Sequence, residues 1–358
     1  MNKKLVICSI SMDRLRLLDK LYFKDEFNGE VYIITDDRIQ DNSKPIIDFL
    51  ENEATNINLK KAKLVYYAKD MFPYIAEKVQ PGEYEDALKY MLFSITCCSS
   101  IYFCRQPDDL AFIVDDDCVL FKNPEYLMDG KLRVEAVRTF PPGTGRDETI
   151  ISYYKLLPDD VFDVIGIDEN DEDFMGKLDK KFGKVVSQPT TVWTYLPDFP
   201  KFLHDYLYLP STIKHTLQNR KKGCKLYQFG FTFLVERLVG AIQLYHKCEF
   251  YTDKDMCTQD RSAFIRKAKD IAEGNITGYH YIVISDAYVQ KWLPFLMEHG
   301  YEEYKKATKG LEETAKNHKY EYLDPNLMKG WSVSGTLKEY ADSVKKPKVP
   351  FFLRNKQK

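Results

Sequence analysis

Three consecutive aspartates, Asp115, Asp116 and Asp117, follow the apolar run 111–114 and precede a second apolar run, 118–121. A short apolar run between polar residues is typical of a buried strand, so the acids are predicted at a strand's end. Carboxylates about 4 Å apart repel by roughly 4 kcal/mol at an effective dielectric near 20, and they need a proton, a cationic side chain or a metal between them. Because the run contains no Lys or Arg before Lys122, a divalent cation is the economical solution.

The competing interpretation is a solvated turn that only caps a strand. The apolar runs on both sides of the acids favour the metal site over that turn. Mg²⁺ and Mn²⁺ take carboxylate oxygens and share their remaining positions with water and substrate phosphate. The triplet therefore indicates a metal site that handles phosphate.

An apolar strand, a D-x-D triplet, a second apolar run and an N-P pair at 123–124 together resemble the metal-binding segment of GT-A glycosyltransferases. The resemblance is nearest to the glycogenin-like retaining enzymes. It implies an α/β fold with a GT-A-like, mostly parallel central sheet, flanking helices and additional C-terminal helices. It also implies Mn²⁺ or Mg²⁺ as cofactor, Asp115 and Asp117 as metal ligands, and Asp116 as a catalytic residue that reaches the sugar.

A downstream segment, 276–294, resembles the H-x-x-G-x-x-K-P-W segment of the same enzymes, although its spacing is longer. By that resemblance His280 is a third metal ligand and Lys291 contacts the donor. A histidine satisfied within the core is the alternative for His280. The segment 227–239 has no Asp where related enzymes carry an acid, so Gln228 and the nearest acid, Glu236, are the catalytic candidates.

The remaining candidates for nucleotide-sugar binding stand where the resembled enzymes hold their donor. Turn and helix-cap chemistry is the alternative for the two serines and Asp36, and a lysine that extends from a buried helix to water is the alternative for Lys89. The full set is Ser9, Ser11, Asp36, Lys89, Thr190, Thr191 and Trp193.

The elements that must position these residues are predicted from apolar periodicity. Strands are predicted over 4–10, 31–35, 63–67, 133–138 and 184–195, and helices over 12–24, 46–52, 84–103, 199–209, 295–304 and 304–318. Alternation of strands and helices predicts a mostly parallel sheet, whose ligands bind beyond the carboxyl ends of its strands.

Length and composition limit the size and number of domains. The chain has 358 residues, 44% of them hydrophobic, which suffices for one large α/β domain. We expect a catalytic domain over 1–294, with a nucleotide-binding part to about 125 and an acceptor part over 126–294. A helical extension over 295–344 and a basic tail over 345–358 complete the predicted division.

The net charge gives little information about the substrate, whereas the cysteines indicate the compartment in which the protein works. The net charge of −2 does not indicate a binder of polyanions. Eight cysteines without C-x-x-C spacing predict free, mostly buried thiols in a reducing compartment. The N-terminal apolar run is too short for a signal peptide or a transmembrane segment. We therefore expect a cytoplasmic protein.

The leading hypothesis is a metal-dependent glycosyltransferase, a hexosyl- or pentosyltransferase, which transfers a sugar from a nucleotide diphosphate sugar, with UDP-sugars as the expected donors. Its acceptor is a glycan, a protein, a lipid or modified DNA. The basic cluster 220–225, the basic tail and the many tyrosines keep open a DNA-modifying glycosyltransferase that acts on a hydroxymethylated base. A D-x-D triplet after a strand also fits a haloacid-dehalogenase-like phosphotransfer enzyme, and the missing acid near Gln228 keeps open a non-catalytic protein that binds nucleotide or glycan.

Overall fold

The computed structural model describes residues 1–8, 12–35, 43–66, 70–71, 95–137, 185–200, 243, 246–252, 254–258, 261–280 and 287–311. The strands are β1 Asn2–Cys8, β2 Glu30–Thr35, β3 Lys63–Tyr66, β4 Asp109–Asp115, β5 Cys118–Leu120, β6 Arg133–Val137, β7 Val185–Thr194, β8 Glu249–Phe250, β9 Met256–Thr258 and β10 Gly278–His280. The helices are α1 Met12–Leu21, α2 Ser43–Asn52, α3 Ile57–Lys60, α4 Ile95–Phe103, α5 Arg261–Ala272 and α6 Ala287–Ala307, and Pro124–Leu127 form a 3₁₀ turn.

Seven strands form the main sheet, in the order β3-β2-β1-β4-β7-β6-β8. Strand β7 is antiparallel to both of its neighbours, β4 and β6, whereas the other neighbouring pairs are parallel. Six of the seven strands therefore run in one direction. The α/β class with a mostly parallel central sheet and flanking helices, which the sequence predicts, is confirmed.

The centre of this sheet is the parallel pair β1 and β4. Leu5, Ile7, Phe112 and Val114 are all fully buried. An apolar run without polar alternation suits a strand that is covered on both faces, which is why residues 111–114 fold as the middle of β4. The acids that follow are placed at the carboxyl edge of the sheet.

A second sheet of three short strands, in the order β5-β10-β9, begins directly after the acids. Only Asp116 and Asp117 separate β4 from β5, so the chain passes from one sheet to the other at the acidic turn. Strand β10 is antiparallel to β5, and His280 lies opposite Cys118 in the register. The small sheet thereby brings a distant segment to the acids.

Most predicted strands and helices within the described residues have matching elements, with ends that differ by a few residues. Of the long helix predicted over 84–103, only 95–103 is described, and of the helix over 199–209 only its first two residues are described. Helices were predicted over 295–304 and 304–318, whereas the structure has one helix, α6, that covers the first range and the start of the second. This helix contains Pro294 and is kinked at Gly300, where φ is 79°. Helices α3 and α5 and strands β8, β9 and β10 were missed.

Cys8, Cys104, Cys118 and Cys248 are free thiols, and the first three are buried. The prediction of free thiols is confirmed for these four. Among the helices that the structure describes, none combines the length and the apolarity needed to cross a bilayer. The division of the chain at residue 294 stays a prediction, and the basic tail lies outside the described residues.

The register of β1 against β4 is fixed by a buried ion pair at the end of the sheet away from the acids. Lys4 Nζ lies 2.7 Å from Asp109 Oδ1 and also donates to the Phe103 carbonyl. Burial would raise the pKa of Asp109, but hydrogen bonds from Lys4 and from the Gln106 backbone lower it. These bonds hold β4 in the position from which its acids project.

We expect Asp109→Ala to lower the free energy of unfolding by about 3 kcal/mol, because it leaves the Lys4 ammonium mostly buried without its carboxylate. The control is Glu30→Gln, which breaks an ion pair with Lys63 whose side chains are 45% and 62% exposed and should cost under about 1 kcal/mol. Urea denaturation measures both. Equal losses in the two variants would contradict the role given to the Lys4–Asp109 pair.

Candidate metal centre

The acidic turn lies where the order of the sheet reverses. From β1 the chain continues to β2 and β3 on one side, whereas β4 lies on the other side of β1. Cys8 at the end of β1 is the register partner of Asp115 at the end of β4, and the Asp116 backbone N–H donates to the Cys8 carbonyl at 3.0 Å. Ligands of open α/β sheets bind outside the carboxyl ends of strands at such a switch point.

The middle acid, Asp116, is held in a buried ion pair with Arg14 of α1. The exposed fraction is 4% for the Arg14 side chain and 3% for that of Asp116. The two residues are 102 positions apart in the sequence, so the local run around the acids gives no sign of the pair. A divalent cation was expected as the economical way to neutralise the triplet, and that expectation is wrong for Asp116, because the protein supplies a guanidinium.

This pair also bears on the expected catalytic role of Asp116. Asp116 as a whole residue is 2% exposed. Its carboxylate is directed into the protein towards Arg14. That placement suits a group that fixes the shape of the turn. Contact of Asp116 with a sugar stays a prediction.

The last acid, Asp117, lies beside the histidine that the sequence selects. Asp117 Oδ1 is 3.6 Å from His280 Nε2, and both side chains are less than a tenth exposed. Burial would raise the pKa of Asp117, but the interaction with His280 and the charge of Arg14 outweigh burial and hold that pKa below its ordinary value. The charge of Arg14 favours the carboxylate form that a metal requires, whereas the attraction to His280 needs the protonated imidazole, which does not bind a metal.

A third potential ligand, Cys118, was missed as a site residue and was interpreted only as part of an apolar run. Its Sγ lies 3.8 Å from Asp117 Oδ1 and 3.0 Å from Thr190 Oγ1. The ligand atoms of Asp117, Cys118 and His280 all lie within 4.8 Å of one another, and all three residues are buried. The adjacency of a thiol to the D-x-D triplet is the one signal in the sequence that could have indicated it.

The donor set of this cluster fits a divalent metal. It combines a carboxylate oxygen, a thiol sulfur and an imidazole nitrogen, the three protein ligand types that transition metals use. Asp115 ends β4 and is half-buried. It is not a member of the group of three within 4.8 Å, so its part in metal binding stays a prediction.

The predicted donor-binding residues of β7 fall on two faces. Thr190 lies against Cys118, on the side of the metal cluster. Successive side chains of a strand point to opposite faces, so Thr191 and Trp193 lie on the other face, where the Trp193 ring stacks on Phe199 at 5.3 Å between centroids. Both residues are buried. The structure thus brings Thr190, and not its two companions, to the cluster.

The remaining predicted site residues are placed away from the cluster or are not described. Lys291 lies exposed on α6, with its ammonium 4.8 Å from the centroid of the Trp292 ring. Six predicted residues lie outside the described part of the chain, namely Ser9, Ser11, Asp36, Lys89, Gln228 and Glu236. Their roles stay predictions.

Comparison with known proteins gives structural likenesses only. No protein-family model matches the sequence, and no curated protein matches it. Mouse xyloside xylosyltransferase 1 in its apo form is 12% identical, with a TM-score of 0.37 over 78% of this chain and 97% of its own. An active-site mutant of LgtC is 9% identical, with a TM-score of 0.36 over 78% and 86%.

A third similar structure, the apo form of the glycosyltransferase GlyE of Streptococcus pneumoniae TIGR4, is 12% identical, with a TM-score of 0.23 over 78% of this chain and 74% of its own. Likenesses at these TM-scores do not determine function.

Disruption of the buried Arg14–Asp116 pair should lower the free energy of unfolding, and removal of both charges should recover part of that loss. We expect Asp116→Leu to lower the free energy of unfolding by about 3 to 5 kcal/mol, because Arg14 then stays buried and charged without its carboxylate. The double variant Arg14→Met with Asp116→Leu should recover about 2 kcal/mol of that loss. Urea denaturation of the two single variants and the double variant measures the coupling.

The matched control is Arg16→Met on the same helix. Arg16 pairs with Glu53 at 3.4 Å, and both side chains are at least half exposed. Loss of such a surface pair should cost under about 1 kcal/mol. If the double variant were as unstable as the sum of its single changes, the Arg14–Asp116 pair would have no special energetic role.

Proposed function

We propose that the chain is a metal-dependent glycosyltransferase that uses a nucleotide diphosphate sugar as donor. The observation that supports this proposal is the cluster of Asp117, Cys118 and His280, whose ligand atoms lie within 4.8 Å of one another beside the carboxyl end of β4. Three buried ligand types from two separate segments converge there. That convergence favours a metal site over a solvated acidic turn, whose side chains would point into water.

The position of the cluster supports a nucleotide ligand. It borders the switch point between β1 and β4, the place where open α/β sheets bind nucleotides. Thr35, at the carboxyl end of β2, lies on the same edge of the sheet and is fully buried. A donor that lies along this edge would bring its diphosphate to the acids.

In the proposed reaction, the metal would offset the negative charge that develops on the leaving group. A bound divalent cation would act as a Lewis acid that offsets negative charge on the departing nucleoside diphosphate. Asp117 and His280 would hold it, with Asp115 at the end of β4 as a further carboxylate. Arg14 fixes Asp116 and thereby the backbone of the turn, and the side chains of Asp117 and His280 are buried.

We expect donor binding to depend on both the metal and Asp117. For the full chain, a UDP-sugar present at about a hundred times its dissociation constant together with Mn²⁺ should add about 2.7 kcal/mol of stability. Asp117→Asn keeps the size of the side chain but removes its charge, and it should lose that gain. Thermal-shift measurements with a panel of nucleotide sugars, with and without Mn²⁺, test this.

The control is Glu302→Gln, which removes an exposed carboxylate on α6 and should leave the gain unchanged. Metal-dependent hydrolysis of the stabilising UDP-sugar then separates an enzyme from a protein that only binds it. If no nucleotide sugar stabilised the wild-type chain with either Mn²⁺ or Co²⁺, or if Asp117→Asn retained full stabilisation, the proposed function would be refuted.

A further inference from the structure

The thiol of Cys118 is built into the cluster by strand pairing. Cys118 and His280 lie directly opposite each other in the antiparallel pair β5 and β10. Side chains at directly opposed positions project from the same face of a sheet, with Cβ atoms about 4.5 to 5.5 Å apart. Asp117 precedes Cys118 in the chain. The carboxylate, the sulfur and the imidazole are therefore held together by backbone pairing.

Two of the three separations between these atoms are close to those of ligands on one ion. Bonds of about 2.3 Å to sulfur and about 2.0 to 2.2 Å to nitrogen and oxygen place tetrahedral ligands about 3.3 to 3.6 Å apart. Asp117 Oδ1 lies 3.6 Å from His280 Nε2 and 3.8 Å from Cys118 Sγ. The third separation, between Cys118 Sγ and the imidazole nitrogen, is within 4.8 Å, so side-chain shifts of up to about 1 Å would close the set around a common centre.

The geometry points to Cys118 as a direct ligand of the metal, which makes the site selective for thiophilic ions such as Co²⁺ and Zn²⁺ over Mg²⁺. This inference rests on the cation site of the proposed function and adds the chemistry of that site. Thiolate and imidazole ligands suit such ions, whereas Mg²⁺ takes oxygen ligands. When the ion binds, the sulfur–metal bond forms and the thiol proton leaves to solvent.

A second group supports the sulfur. Thr190 Oγ1 lies 3.0 Å from Cys118 Sγ, so its hydroxyl can donate a hydrogen bond to the thiolate. Groups that contact a ligand in this way fix its orientation. Cys104 provides the contrast, because it is an equally buried thiol whose Sγ donates to the Trp193 carbonyl at 3.4 Å.

Cobalt titration of the metal-free, full-length protein tests the inference without any assay of activity. Bound Co²⁺ should produce a sulfur-to-cobalt charge-transfer absorption in the near ultraviolet, and a large excess of Mg²⁺ should leave it unchanged. Cys118→Ser should abolish the absorption and weaken Co²⁺ binding at least about tenfold, since even outer-shell partners of a metal site are worth about 10- to 100-fold in affinity. Cys104→Ser should behave as the wild type.

The wild-type spectrum is decisive even if Cys118→Ser does not fold. Absence of Co²⁺ binding, Co²⁺ binding without the charge-transfer absorption, or displacement of Co²⁺ by Mg²⁺ would each overturn the inference. Persistence of the absorption in folded Cys118→Ser would do the same. A wild-type chain that shows the absorption but gains no stability from any nucleotide sugar would keep the thiolate site and refute only the glycosyltransferase proposal.

Discussion

The mutual repulsion of three adjacent carboxylates at a buried strand end is the constraint on which this structure depends. The structure meets it by giving neighbouring acids different partners, since Asp116 pairs with Arg14 and Asp117 lies beside His280. One partner comes from a helix far upstream and the other from a strand far downstream. To offset the charge of this turn, the segments that contain Arg14, the three acids and His280 must therefore meet at one point.

Helix α1 is the element that makes this meeting rigid. Near its start it supplies Arg14 to the turn. Just after its end, the Tyr22 hydroxyl donates to the Cys118 carbonyl at 3.1 Å and the Phe23 backbone N–H donates to the Leu120 carbonyl at 2.8 Å. A single helix thus contacts the turn at one end and strand β5 at the other. Because β5 pairs with β10, and Cys118 lies opposite His280 in that pair, the contacts of α1 with β5 also position His280.

The sequence predicts the local part of this arrangement and misses the non-local part. The run 111–114 is long and apolar enough to show a buried strand, and the acids at its end follow directly. Strands β5, β9 and β10 are three residues each, too short for a period of two to be detected. The Arg14–Asp116 contact depends on the packing of α1 against the turn, and neither helix nor strand periodicity carries that information. His280 was found only through a family resemblance.

The Arg14–Asp116 pair also determines how an acidic turn could accept an anionic donor. Three carboxylates exceed the charge of one divalent ion by one unit, so a turn neutralised by metal alone would stay negative towards a diphosphate. The Arg14 guanidinium cancels Asp116, which makes the site one unit less negative both when Cys118 is a neutral thiol and when it binds the ion as a thiolate. In the dry surroundings of the turn a residual unit charge would act strongly on an incoming phosphate. The buried arginine would thus weaken the repulsion between the turn and an anionic ligand.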